Sequence, residues 1–173
     1  MALVVLLRGV NVGGHKTFRP AALAEKLKHF DAVNIGAAGT FVIRQPVSRA
    51  RLRTEFARRL PFDAQMVICE GRDIVGLMSQ NPFPRRPPRP DIVRFVTVLS
   101  KRPRSEPSMP MSLPPSGRWL VRILGRKDRF VFGQYRRHMK TIAYLGMVDR
   151  LFGVSVTTRN WNTITAIARV VSA

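Results

Sequence analysis

Short apolar runs alternate with amphipathic helical stretches along the first half of this chain in the order β-α-β-β-α-β-α. That order leaves few folds open. Residues 3–7 are apolar throughout, which predicts a strand covered on both faces. Pro20 suits the first position of a helix that sets Leu23, Leu27 and Phe30 on one face. Strands are predicted at residues 32–35 and 40–44. Ser48 then caps a second helix with the stripe Leu52, Phe56 and Leu60, and Val47 can staple back onto Leu52. A fourth strand spans 65–69 and includes Cys69, and a short helix over 73–80 stops ahead of Pro82. The first six elements have the split βαβ order of ferredoxin-like folds.

The second half repeats the plan. Residues 82–91 form a Pro/Arg linker, stiff and extended rather than regular. A long strand covers 92–99, and strands at 118–124 and 129–134 make a hairpin across 125–128. A helix over 141–151, a strand over 154–157 and a last helix over 161–171 follow, the last presenting Trp161, Ile164, Ala168 and Val171. Where the first half has its opening helix, residues 103–116 carry five prolines, which excludes one. First to fourth strand spans 62 residues in each half, from 3 to 65 and from 92 to 154. The expected architecture is α+β. It has two ferredoxin-like halves, 1–81 and 92–173, with antiparallel or mixed sheets and helices packed on one face.

Charge is where the composition departs from the ordinary. Thirty Lys and Arg stand against ten Asp and Glu, a formal net charge of +20. Residues 1–81 hold 12 basic and 6 acidic side chains, and 82–173 hold 18 and 4. Such a field attracts nucleic acid, anionic lipid or phosphorylated small molecules. Arginine outnumbers lysine 24 to 6, a bias that a GC-rich genome produces without selection for binding. The apolar run 2–7 is too short for a membrane span or a secretory core, and one cysteine excludes an internal disulfide framework. These features point to a cytoplasmic protein without a membrane partner. They leave its oligomeric state open.

Two motifs carry candidate chemistry. Leu6-Leu7-Arg8-Gly9-Val10-Asn11-Val12-Gly13-Gly14-His15-Lys16 ends a strand in an arginine and a glycine loop, where backbone N–H groups can converge on an anion. Gly9 and Gly14 have P-loop spacing, but His15 precedes Lys16-Thr17 and the helix starts only at Pro20, so an ATPase of that type is rejected. Thr157-Thr158-Arg159-Asn160-Trp161-Asn162-Thr163 crowds polar groups at the start of the last helix, again a setting that favours anions. The two motifs are expected to meet across the halves and form one polar, cationic pocket from Arg8, Asn11, Gly13, Gly14, Lys16, Arg159, Asn160 and Asn162. Both arginines would pair with phosphate or carboxylate.

A third segment supplies Arg126, Lys127, Arg129, Arg136, Arg137 and Lys140 as candidate nucleic-acid contacts. Its Phe130 and Phe132 alternate on one strand face and are read as core. No metal-ligand spacing joins His15, His29 and His138, no catalytic pair stands out, and no cofactor is implied. The leading reading is a non-catalytic binder of a phosphate-bearing ligand, nucleotide or nucleic acid. Its rivals are an enzyme on a small phosphorylated or carboxylated substrate, with His15 or Lys16 as acid or base, and a structural domain without a ligand.

With those motifs in hand, the chain resembles the DUF1697 family, small bacterial proteins named for lacking an assigned function. Its opening Leu6 to Gly14 is similar to the family's LLRGINVGG, Asn81-Pro82-Phe83 to its NPF, and Thr157 to Thr163 to its TTRNWNT. The resemblance implies an α+β fold related to the ferredoxin-like arrangement, and no reaction. Ala38-Gly39-Thr40 departs from the family's usual Ser-Gly-Asn, removing two polar side chains from that turn.

Overall fold

Val4, Val5, Leu6 and Leu7 have no solvent exposure, so β1 (Leu3–Arg8) has to be interior to its sheet. It pairs antiparallel with β3 (Thr40–Ile43) on one side and β4 (Gln65–Glu70) on the other, and β2 (Ala32–Ile35) closes the far edge. The order β2-β3-β1-β4 splits both crossovers. Helix α1 (Pro20–Lys26) carries the chain from β1 to β2 past β3, and α2 (Arg49–Arg59) from β3 to β4 past β1. All 173 residues are described in this computed structural model.

One face of this sheet meets the helices. Val5, Leu7, Phe41, Ile43 and Ile68 pack against Leu23, Leu27 and Phe30 and against Leu52, Phe56 and Leu60. Phe41 and Phe56 meet edge to face at 5.2 Å. Each such side chain contributes about 1.5–3 kcal/mol when fully buried. Ser48 Oγ accepts the Arg51 N–H at 3.1 Å, the cap expected from the sequence. β4 is an edge strand, yet Cys69 is buried there as a free thiol.

The chain divides into two compact units, Met1–Gln80 with Thr163–Ala173, and Asn81–Asn162. The sequence reading kept the last helix, α6 (Trp161–Ser172), with the second half; most of it clusters with the first unit. Gly71 opens α3 (Gly71–Gln80), and a Cβ there would lie 2.8 Å from a Val171 methyl. The two helices therefore approach closely where a side chain is missing.

In the second unit, β5 (Ile92–Leu99), β6 (Met111–Leu113), β7 (Val121–Lys127), β8 (Phe130–Arg136) and β9 (Val156–Asn160) form an antiparallel sheet in the order β6-β7-β8-β5-β9. Setting β6 aside, this is the strand order of the first sheet. Phe95, Leu99, Val121, Ile123 and Val131 line its core face with Val148, Phe152 and Val154. The protein is thus α+β with two antiparallel sheets.

Four local expectations needed correction. Strand β6 arises inside the proline-rich 103–116, because an edge strand of three residues tolerates flanking prolines that a helix does not. The hairpin turns at Asp128 and Arg129, between the paired Lys127 and Phe130. Gly125 lies inside β7 at a bulge and is covered by the Phe132 ring, its Cβ site 2.9 Å from that ring. The helix expected over 141–151 is two short ones, α4 (Thr141–Leu145) and α5 (Val148–Phe152), separated at Gly146. The fourth strand runs to Asn160, beyond the expected 154–157. No helix is long and apolar enough to cross a membrane.

Candidate functional site

The glycine loop of the first unit is a small hairpin. Val12 and His15 bridge across Gly13 and Gly14, both with positive φ, as a two-residue primed turn requires. Asn11 anchors it: Nδ2 donates to the Ala37 carbonyl at 2.9 Å, and Oδ1 accepts the Phe18 N–H at 2.9 Å. Lys16 Nζ donates to the Asp63 carbonyl at 2.8 Å. Arg8 is half-buried at the end of β1, opposite Gln65, while Gly13, Gly14 and His15 are exposed. The turn 36–39 packs beneath: Leu7 N–H bonds the Gly39 carbonyl, and a Cβ at Gly39 would meet Leu7 and Val10 at 2.8 Å. Asn11 and Lys16 therefore have internal partners, which the motif alone did not reveal.

The second motif borders a cavity. β9 pairs with β5 as far as Asn160, opposite Phe95, and α6 begins at the next residue with no intervening loop. This junction turns Asn160, Trp161 and Asn162 onto a cavity of about 350 Å³. Its remaining lining is Arg85, Pro87 and Pro88 from the Pro/Arg segment, Ile92, Val93 and Arg94 from β5, and Arg137. The N-terminus of α6, at Trp161, borders this cavity and brings the partial positive charge of a helix start to it.

Arginines dominate the ionisable lining, and no carboxylate belongs to it. Arg85 and Arg137 are exposed. Arg94 holds the wall in place: Nη2 donates to the Pro84 carbonyl at 2.9 Å and the Arg86 carbonyl at 2.6 Å. Its guanidinium also covers the Phe83 ring at 5.3 Å. Phe83 is buried, edge-on to Trp161 at 4.9 Å and to Phe132 at 6.2 Å. Asn81-Pro82-Phe83 and Asn160-Trp161-Asn162 thus meet in one aromatic cluster. Arg159 faces away with Val96, is buried, and donates to the Thr158 carbonyl. Burial pulls its pKa down to about 10, so the guanidinium still carries its charge at neutral pH.

The basic segment of the second unit separates into anchored and exposed members. Arg126 bonds both Glu106 carboxylate oxygens, at 2.8 and 3.0 Å, and this hydrogen bonding lowers the Glu106 pKa. Arg129 donates to the carbonyls of Leu99 and Ser100. Arg136 stacks on Trp119 at 4.1 Å and reaches Asp91. Arg137 and Lys140 are exposed and Lys127 is half-buried; of the six, only Arg137 lines the cavity. Phe130 is buried and Phe132 partly so, as core positions on a strand are. Arg85, Pro87 and Pro88 were missed because residues 82–91 read as a linker, and Arg94 because it read as one position of the strand over 92–99. The available signal was three arginines among four prolines directly after the Asn-Pro-Phe motif.

An α+β chain with two split antiparallel sheets and an arginine-lined cavity is the class these features define. Residues 1–118 match the family described as "Protein of unknown function (DUF1697)", and the chain belongs to that family. No curated protein matches it. Its fold is similar to the solved structure of the conserved bacterial protein SP0830 from Streptococcus pneumoniae, with a TM-score of 0.63, 16% identity and 98% of each chain covered.

Proposed function

We propose that this protein binds a phosphate-bearing ligand, a nucleotide or a nucleic acid, in the cavity at the β9–α6 junction. The supporting observation is the lining: Arg85, Arg94 and Arg137 with Asn160, Asn162 and Trp161, and no acid. Arginine matches phosphate geometry with paired N–H groups, and the two amides can orient a sugar or base by donating and accepting. Pro87, Pro88, Ile92 and Val93 supply the apolar wall that a ring needs. Its volume of about 350 Å³ lies within the range of small-ligand sites. The ionisable side chains here are arginines, which hold charge and do not move protons at neutral pH. The chemistry they favour is recognition.

Thermal unfolding with nucleoside monophosphates and with inorganic phosphate tests this. A ligand at a hundredfold excess over its Kd stabilises by about 2.7 kcal/mol. Arg137→Ala, on an exposed side chain, should weaken binding roughly tenfold to a hundredfold, since a charge-assisted hydrogen bond contributes about 1.5–3 kcal/mol. The reading falls if no phosphate compound shifts the midpoint, or if Arg137→Ala shifts as far as the parent.

A further inference from the structure

A second concavity is lined by the same Pro/Arg segment. Its lining is Pro84, Arg86, Pro87, Pro88, Arg89, Arg94 and Gln134. Pro87, Pro88 and Arg94 are common to both concavities. The chain bends at Arg85 and Arg86, and the arginines part there: Arg85 lines the first concavity, Arg86 and Arg89 the second. The segment they share is braced, because Arg94 bonds the carbonyls of Pro84 and Arg86. No carboxylate lines either hollow; of the arginines that do, Arg89 alone pairs with Asp91, at 3.7 Å, and Asp91 is shared with Arg136 and Arg118.

A mononucleotide needs one such hollow. Two cationic hollows that share Pro87, Pro88 and Arg94 suit a ligand that repeats its negative charge along its length. The first hollow is concave and has one apolar wall, so a base can enter it only after leaving its stack, which a duplex resists and a single strand does not. We infer that the ligand class of this site is single-stranded nucleic acid. One nucleotide sits in the first hollow, and the flanking backbone crosses the Pro/Arg wall so that neighbouring phosphates meet Arg86 and Arg89. This rests on the phosphate-binding reading above. It adds that the strand, and not the mononucleotide, is what the surface fits.

The test compares the full-length protein's affinity for a ten-residue oligouridine, a ten-residue oligothymidine and uridine monophosphate between 50 and 200 mM salt. Contacts from Arg85, Arg86, Arg89 and Arg137 predict log K falling with log salt at a slope of about −2 to −3 for the strands, from about 0.7 per phosphate. The monophosphate has no condensed counterions to release, so its slope stays shallow. The double variant Arg86→Ala/Arg89→Ala should lower strand affinity at least tenfold and leave monophosphate binding within twofold. Lys101→Ala/Arg102→Ala removes the same charge at exposed residues that line neither hollow and should change strand affinity less than threefold.

Equal losses in both double variants would mean that the general field binds the strand, and the inference would be overturned. Monophosphate binding with no tighter binding of either strand would overturn it too, leaving the phosphate reading intact. Binding of neither would overturn both. A difference between the two strands reports that the ribose hydroxyl or the thymine methyl is read, and supports the inference either way.

Discussion

Asn11 sits at φ 54°, in the left-handed region, and its amide spans two parts of the first unit: the Ala37 carbonyl on one side and the Phe18 N–H on the other. Asparagine tolerates that backbone better than other non-glycine residues and brings a donor and an acceptor together. Asn11→Ala loses both hydrogen bonds and adds backbone strain, so urea unfolding should show a loss of roughly 1–3 kcal/mol. Asn11→Asp keeps the acceptor for Phe18, loses the donor to Ala37, and should fall between parent and alanine. Equal stability of parent and alanine variants would remove the anchor role. The residue was legible as special, standing in a glycine loop, but its purpose was not. Its Ala37 partner is 26 residues away in sequence, and no local pattern announces a hydrogen bond to a backbone carbonyl there.

Elements were legible in proportion to how much of their identity is local. β2 was read to the residue, and α2 was read from its cap and stripe: Ser48 holds the Arg51 N–H while Leu52 and Phe56 are fully buried. Ser48→Ala should cost about 1 kcal/mol and Ser48→Gly only a few tenths, read by chemical denaturation. A loss under 0.3 kcal/mol for alanine would mean that packing alone sets this helix start. Other elements depend on distant partners. β6 exists because β7 offers it an edge, and the sequence of 103–116 shows only that a helix is excluded. The Pro/Arg segment became a cavity wall because Arg94, on β5, captures two of its carbonyls. The start of α6 at Trp161 was legible for the same reason that α2 was, whereas the strand before it runs to Asn160 and not to the expected 157. A strand followed at once by a helix sets Asn160 and Asn162 at the junction, and that succession is local. The arginines opposite them come from elsewhere in the unit.

For the molecule as a whole, the balance of thirty basic and ten acidic residues outweighs any single ion pair. Ion pairs such as Arg44–Asp31 and Lys28–Glu25 are exposed, and such pairs contribute about 0–1 kcal/mol each. The acids are too few to partner the arginines, so a net charge of +20 repels itself across the surface. Salt screens that repulsion: the Debye length falls from about 30 Å at 0.01 M to about 8 Å at 0.15 M. The thermal midpoint should therefore rise by a few degrees over this range, with 1 kcal/mol equivalent to about 2–4 °C for a chain of this size. Were the ion pairs dominant, the midpoint would fall instead. The sign also separates fold from function. Salt that steadies the folded chain must weaken its hold on a polyanion, so an oligonucleotide should raise the midpoint most at 10 mM salt and least at 200 mM. A stabilisation by oligonucleotide that does not shrink with salt would mean that the arginines around Pro87 and Pro88 are not what holds the strand.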